Sequence, residues 1–298
     1  MKHLYKIQIK FFDTWNKLLP TAGQLSAASF FIAAISGVVL ALAFDIKNPL
    51  QSLQIVLISN SNATFFRNLH YWSGQLFLVF ALWHFYEHLF IGSEKNVPKG
   101  IWLRLVILIP IIFYIMLSGF ILKDDSEAVL AKQIFNGLIE TIPIWGGELR
   151  FAILGPGKDY QIIYVHHAAT ATIFAVLIII EHTRRIWAEW IPLVYVLSVT
   201  VILGFIYPIS LHTSFDPIVK GPWYFLGLQE LLHWTANPFW VVLAGFILLI
   251  ILYILPNVSK KKVSVLKYGL FLLFIFYCLL SIVGWMFREE NWEFTLPF

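Results

Sequence analysis

Four of the nine histidines in this chain fall into two pairs, each on one candidate membrane-spanning helix: His70 with His84, and His167 with His182. His70 and His84 are fourteen residues apart, so on an α-helix they are separated by about 21 Å along the axis and within about 40° around it. His167 and His182 are fifteen residues apart and differ by about 60°. Two facing imidazoles can bind one haem iron axially. The spacing predicts two haem irons, an outer one between His70 and His167 and an inner one between His84 and His182.

His166 is the neighbouring alternative to His167. It is sixteen residues from His182, which turns the two side chains about 160° apart on a helix, so His167 is preferred. A single histidine in a membrane span is often only a helix–helix hydrogen-bond partner or a proton relay, and the matched spacing of two pairs is what favours iron binding. The other histidines are interpreted as interfacial or loop residues: His3, His88, His212 and His233. Of these, His212 and His233 could alternatively reach an outer quinone site.

The elements that must position these histidines are transmembrane helices. Of the 298 residues, 59% are hydrophobic and 13% are charged, whereas a soluble domain is roughly half apolar and about a quarter charged. Seven uncharged stretches reach about the 18–20 residues that a helix needs to cross the hydrocarbon core. They are Leu25–Phe44, Asn68–Tyr86, Leu105–Leu122, Gln161–Ile180, Trp190–Phe215, Leu231–Ser259 and Tyr268–Phe287. The fifth and sixth are too long for a simple span and must include loop or interfacial backbone. The predicted fold is all-α, a membrane bundle of about seven helices with a four-helix haem-binding part.

The basic residues indicate the orientation of the bundle. Lys and Arg concentrate before the first span, between spans two and three, after span four and between spans six and seven. The positive-inside rule therefore predicts a cytoplasmic N-terminus. Met1–Pro20 has no cleavage site and is predicted to lie on the membrane surface as a basic amphipathic segment. The net charge of +4 follows from this topology and does not indicate nucleic-acid binding.

Two long connections fall on the opposite, outer side: Lys123–Tyr160, the first long loop, and His212–Trp234, the second long loop. The first is rich in acids and contains a helix-like stretch, Ser126–Ile142. Cys278 is the sole cysteine, which excludes thiolate-bound iron–sulfur or zinc sites, so haem iron is the only metal expected. The predicted division is a surface segment (1–19), a dihaem part (20–187) and a three-helix remainder (188–298).

Three further residues could support haems. Arg67 lies one helical turn before His70, where a cation could pair with haem propionates, or it is simply an interfacial arginine. Gly23 and Gly37 are fourteen residues apart, matching the histidine spacing. Glycine at these depths lets a porphyrin edge approach the backbone, although small residues also serve ordinary helix packing.

The segment from Arg67-Asn68-Leu69-His70 to His84 resembles helix B of cytochrome b, in particular the split plastid and bacterial form. Ser36-Gly37 and Gly119 resemble glycine positions of its helices A and C. The run Gly221-Pro222-Trp223-Tyr224 through Glu230 resembles the loop between helices E and F of that form's subunit IV. The resemblance covers nearly the whole chain, as a fusion of the two pieces.

The resemblance implies a dihaem b electron-transfer subunit of a quinol-oxidising cytochrome bc-type complex in the bacterial cytoplasmic membrane. It implies two haem b, a quinone substrate, c-type cytochrome or Rieske iron–sulfur partners, and dimerisation. Departures occur at the outer quinol site, where the family's acidic residue before Trp-Tyr is Pro222 and its Pro-Trp-Gly is Lys123-Asp124-Asp125. The first helix C glycine falls at Leu105. The cysteine that holds an additional haem falls at Thr21, so no covalent haem is expected.

Two functions compete. The first is quinol or quinone oxidoreduction, which needs a proton acceptor. The quinone-site candidates are Trp223, Tyr224, Glu230, Asp124 and Asp125. The loop acids could equally be solvated charges and the two aromatics interfacial belt residues. The second function is a transmembrane electron conduit or anchor for an extracytoplasmic multihaem cytochrome, with only an inner quinone site. The altered outer-loop residues favour it somewhat.

Overall fold

The structure, a computed structural model, describes residues 19–157, 159–170, 172–177, 188–212, 219–289 and 292–296. Within these ranges the protein is α-helical, and the β-type pairing consists of one bridge between Arg288 and Phe294. The all-α prediction is therefore confirmed. Several residues singled out in the sequence lie outside the described ranges: Met1–Leu18, His182, Arg184, Arg185, Asp216 and Pro217.

Eleven α-helices are described, in the following order along the chain. They are α1 (Ala22–Ala41), α2 (Pro49–Ser59), α3 (Ser61–Ile91), α4 (Lys99–Ile121), α5 (Ser126–Glu140), α6 (Gly146–Leu154), α7 (Gln161–Val165), α8 (Trp190–Ile206), α9 (Trp223–Trp234), α10 (Phe239–Ile254) and α11 (Lys260–Met286). A π-helical turn, His166–Thr170, continues α7, and residues 172–177 are again helical. Helix α2 was not anticipated from the sequence.

The protein is a multi-pass membrane protein. Four of the described helical segments are long and apolar enough to cross a membrane: Ala22–Ala41, Lys99–Ile121, Phe239–Asn257 and Lys261–Met286. The predicted count of seven spans stays a prediction. The two over-long stretches are shortened by proline: α8 ends at Ile206, before Pro208, and the break from Trp234 to Phe239 contains Pro238. Proline disfavours helical conformation in the residue before it and lacks the N–H that a helix interior needs.

Local sequence fixes several helix ends. Thr21 caps α1 by accepting a hydrogen bond from Gln24 N, and the Gln24 side chain accepts one from Thr21 N in return. Asp125 caps α5 by accepting from Ala128 N at 3.0 Å. These caps satisfy N–H groups that a helix start otherwise leaves without partners. After α3, Gly92 adopts φ +87°, a left-handed conformation that glycine accepts at no steric cost.

The chain forms two compact units, which are described separately. The first consists of Met1–Ala43, Ser59–His88 and Ile179–Ile209, and thus contains α1, most of α3, and α8. Its buried core is Ala28, Ile32, Leu69 and Val196. Asn68 of α3 ties α8 by donating to Gly204 O at 3.3 Å and accepting from Ile209 N at 3.1 Å. This unit carries His70 and His84.

The second unit consists of Phe44–Ile58, Leu89–Ile178 and Ser210–Phe298. A buried cluster joins α4 to the helices of the first long loop: Leu117, Ile121, Leu122, Ala131, Ile139, Leu154, Tyr160 and Ile163. Trp102 of α4 donates to Leu252 O of α10 at 2.8 Å. The unit carries His166 and His167. The predicted domain division, with boundaries after residues 19 and 187, stays a prediction.

Candidate functional site

His70 projects from α3 onto α1. A Cβ added to Gly37 would lie 2.9 Å from His70 Cε1, so the ring occupies space that only glycine leaves open. His70 Nδ1 lies 2.8 Å from Ala33 O. A carbonyl oxygen can only accept, so Nδ1 carries the ring proton and Nε2 keeps its lone pair. That is the tautomer in which an imidazole binds a metal through Nε2.

His167 meets α4 in the same way. A Cβ added to Gly119 would lie 2.7 Å from His167 Cε1, and His167 Nδ1 donates to Ile115 O at 3.0 Å. The tautomer is therefore again the one with the lone pair on Nε2. In both units a candidate ligand rests on a helical glycine and bonds the carbonyl four residues before it.

His166 faces different partners from its neighbour. His166 Nε2 lies 2.9 Å from Ala152 O and therefore donates to it, and its ring meets the Tyr114 ring edge-on at 5.9 Å. The two histidines belong to the π-helical turn, so the regular 100° per residue assumed for the spacing to His182 does not hold there. The preference for His167 now depends on its contacts with α4, and His182 lies outside the described residues.

His84 lies against Gly23, where an added Cβ would be 2.9 Å from His84 Cε1. Its ring also meets the His88 ring in a T-shaped contact with centroids 4.4 Å apart. This contact was missed from the sequence, although the four-residue spacing on a helix would have indicated it. At Gly23, Gly37 and Gly119 the neighbouring side chain is an imidazole ring, and the role of these glycines in haem packing stays a prediction.

Arg67, predicted to pair with propionates, is buried. Its Nη1 donates to Ile209 O after α8. The propionate role stays a prediction.

The acids of the first long loop are engaged by neighbouring residues. Asp124 accepts a hydrogen bond from the Tyr160 hydroxyl. Asp125 is buried, and its Oδ2 lies 3.0 Å from Lys123 Nζ and accepts from His212 N at 3.2 Å. Lys123 Nζ also lies 3.2 Å from Glu127. Burial, reinforced by the bond to Asp124, raises the pKa of Tyr160 above its usual range, so this phenol remains a donor. The spacing of Lys123 and Glu127 could have indicated their pairing from the sequence.

Glu230 of α9 is fully buried in a bidentate ion pair. Its Oε1 accepts from Arg288 Nη2 at 2.6 Å, and its Oε2 accepts from Arg288 Nε at 2.9 Å and Trp292 Nε1 at 2.8 Å. Burial alone raises the pKa of this carboxyl, but the hydrogen bonds from Arg288 and Trp292 and the arginine charge outweigh it and lower the pKa. A carboxylate held this way is a weak base. Its partners lie about sixty residues away, and no local pattern indicates them.

The two aromatic candidates differ from each other. Trp223 is exposed, whereas Tyr224 is buried. The Tyr224 hydroxyl donates to Met116 O of α4 at 3.2 Å, and Tyr224 O accepts from the Tyr277 hydroxyl at 2.6 Å. Tyr224 therefore joins α9 to α4 and α11.

These observations define a class: a membrane protein, α-helical in its described residues, with buried imidazoles whose Nδ1 atoms bond helix carbonyls. The donor set fits haem, because His70 and His167 have their Nδ1–H groups bonded to helix carbonyls, as metal-ligating histidines usually do. Residues 15–158 match the family model for cytochrome b/b6/petB.

Known proteins support the same family. A cytochrome b of Caenorhabditis briggsae is 22% identical over 92% of this chain and 82% of its own. The cytochrome b subunit of the Corynebacterium efficiens cytochrome bc1 complex is 22% identical over 58% of this chain, which spans 37% of that subunit. The corresponding subunit of Bacillus subtilis menaquinol:cytochrome c reductase is 26% identical over 43% of this chain and 59% of its own. The resemblance to the cytochrome b family is therefore confirmed.

The fold agrees with a solved structure. A chain of a hyperthermophilic respiratory complex III superposes with a TM-score of 0.68 at 16% identity, covering 88% of this protein and 82% of that chain.

Proposed function

We propose that this protein is a dihaem b subunit that transfers electrons across a membrane between a quinol/quinone pool and a redox partner. The observation that carries the proposal is the repeated arrangement of imidazole and glycine. His70, His84 and His167 each lie on a helical glycine, and a bulkier residue there would displace the ring.

In the proposed assignment, His70 with His167 and His84 with His182 are the axial ligands. This pairing rests on the sequence spacing and the family resemblance. Bound haem b would supply a one-electron centre at each position. The carbonyls of Ala33 and Ile115 orient two of the imidazoles and hold their protons on Nδ1.

The proposed setting is a bacterial cytoplasmic membrane, with the N-terminus on the cytoplasmic side. The relatives named above belong to a cytochrome bc1 complex and a menaquinol:cytochrome c reductase, which supports a c-type cytochrome or Rieske protein as partner. A homodimer within a larger complex is part of the same proposal.

A second candidate function is an electron conduit for an extracytoplasmic multihaem cytochrome, without an outer quinol site. The engagement of the candidate proton acceptors favours it. Glu230 pairs with Arg288 and Asp125 with Lys123. The hydrogen bonds and charge of Arg288 lower the pKa of Glu230, whereas an effective general base near neutral pH needs a raised one.

The test is a redox difference spectrum of the purified protein in native-like membrane, with haem quantified per chain by pyridine haemochrome. Two haem b per chain are expected, and His84→Ala should retain one. Absence of b-type haem would overturn both candidate functions. An outer-site quinol analogue that shifts the outer haem spectrum would decide for quinol oxidation, whereas no response would decide for the conduit.

A further inference from the structure

Two serines sit beside the histidines on which the proposed function depends. Ser36 precedes Gly37 on α1, and Ser118 precedes Gly119 on α4. Both serines are fully buried, with 0% and 1% exposure. Ser36 Oγ lies 3.5 Å from His70 Nδ1, and Ser118 Oγ lies 3.2 Å from His167 Nδ1. The same arrangement, a buried serine beside the Nδ1 atom of a histidine, thus occurs in both compact units.

The hydroxyl protons of these serines have their own acceptors. Ser36 donates to Ile32 O at 2.6 Å, and Ser118 donates to Tyr114 O at 2.7 Å. Longer approaches reach Ala33 O at 3.1 Å and Ile115 O at 3.0 Å. Because each proton points to the carbonyl four residues back, each serine oxygen presents lone pairs to the imidazole N–H.

We propose that Ser36 and Ser118 are positioning residues for the outer haem, each acting as a second acceptor for the Nδ1–H of an axial histidine. The helix carbonyl is the first acceptor, and the serine oxygen shares the same proton. Stronger acceptance at Nδ1 makes an imidazole a better electron donor to iron and favours the oxidised metal. This inference rests on the proposed function.

The residue before the glycine differs at His84. His84, assigned to the inner haem, lies on Gly23, and the residue before this glycine is Ala22. An alanine offers no oxygen to the ring. Because Ser36 and Ser118 contact His70 and His167, removal of either serine hydroxyl should affect the outer haem.

The experiment compares Ser118→Ala and Ser36→Ala with the control Ser29→Ala in the full-length protein. Ser29 is a buried serine of α1 that donates to Leu25 O at 2.8 Å. Like Ser36 and Ser118, it bonds the carbonyl four residues before it. Each variant is titrated electrochemically, with the outer haem assigned as the component that His70→Ala removes. Low-spin electron paramagnetic resonance of the oxidised haems provides a second readout.

Ser118→Ala should raise the outer haem's midpoint potential, because its ligand loses an acceptor. At the wild-type midpoint the reduced-to-oxidised ratio should rise roughly two- to threefold, the scale of part of one hydrogen bond. Ser36→Ala should act in the same direction but less, given its longer contact. The inner haem and Ser29→Ala should not change.

Two haems with an outer potential in Ser118→Ala equal to that in Ser29→Ala would overturn the inference while leaving the proposed function intact. An equal shift of both haems would also overturn it. A protein without b-type haem would instead overturn the proposed function itself.

Discussion

The histidine-bearing helices and the two long loops both bury polar side chains, but the two regions satisfy the hydrogen-bonding groups of these side chains differently. His70 and His167 donate from Nδ1 to backbone carbonyls of α1 and α4, respectively. The Nε2 atom of each ring therefore keeps its lone pair. In the loops and on α9 the charged groups neutralise one another, as Glu230 does with Arg288 and Asp125 with Lys123. The first arrangement leaves the Nε2 lone pairs suited to the proposed iron binding, whereas the second joins helices through ion pairs.

The largest expected effect is the loss of a whole cofactor from the histidine region. His70→Ala should reduce the haem content from two per chain to one, because it removes an axial ligand. The matched control is His166→Ala, whose ring already donates to Ala152 O and which should retain both haems. Pyridine haemochrome per chain measures both variants. Retention of two haems in His70→Ala, or a loss in His166→Ala, would contradict the ligand assignment.

Glycine replacement probes the same region more gently. Gly119→Ala should lower occupancy of one haem, since the added Cβ would lie 2.7 Å from the His167 ring and the ring must shift. Gly137→Ala is the control, because nothing lies within 4 Å of its added Cβ, and it should stabilise α5 by about 0.5–1 kcal/mol. Haem content and thermal unfolding are measured for both. Full occupancy in Gly119→Ala would show that the clearance is not needed.

Much of the histidine region could be predicted from the sequence, because periodicity and hydropathy act locally. The stretch containing His70 and His84 forms one long helix, and Gly23, Gly37 and Gly119 all lie beside candidate ligands. The choice of His167 over His166 shows the limit of this reasoning. It assumed a regular helix, and the π-helical turn changes the angle between side chains, so only contacts with α4 and Ala152 distinguish the two rings.

The loop region was much less predictable, because its chemistry depends on partners distant in sequence. From the sequence alone, Glu230 is indistinguishable from a solvated loop acid. In the structure its carboxylate accepts hydrogen bonds from Arg288 and Trp292. Two over-long apolar stretches were correctly expected to contain non-helical backbone. Helix α2 was missed, because its sequence does not distinguish it from a loop between two membrane-spanning helices. Pairing across the fold decides whether such a carboxylate is a base or a structural anion.

Glu230→Gln tests the structural role of the α9 carboxylate. Removing one charge of a buried pair leaves Arg288 uncompensated and should cost about 3–5 kcal/mol of unfolding free energy. Glu140→Gln is the control, because that exposed acid pairs with Arg150 at the surface and should cost under about 1 kcal/mol. Denaturation in detergent compares the two. Equal stability losses would show that the Glu230 pair contributes no more than a surface one.

The pH dependence of the same pair has a defined sign. The folded pKa of Glu230 lies below its ordinary value of 4.5, so its contribution to stability is present above that pH and is lost as pH falls toward the folded pKa. The wild type should therefore lose more stability than Glu230→Gln on acidification below about pH 4.5. Parallel losses in the two proteins would contradict the lowered pKa.

The smallest expected effect is that of replacing Asp124. The outcome shows whether the acids of the first long loop are structural, in contrast to the histidine region. Asp124 has φ +54° and accepts from Tyr160; asparagine tolerates this left-handed backbone and keeps an acceptor oxygen. Asp124→Asn should thus change stability by under about 1 kcal/mol and leave quinol-driven haem reduction, followed by stopped-flow spectroscopy, unchanged. Tyr160→Phe, which removes the donor and keeps the charge, is the paired variant. If Asp124→Asn slowed haem reduction at least about tenfold while Tyr160→Phe did not, Asp124 would be a proton acceptor, and the first long loop would belong to the reactive region.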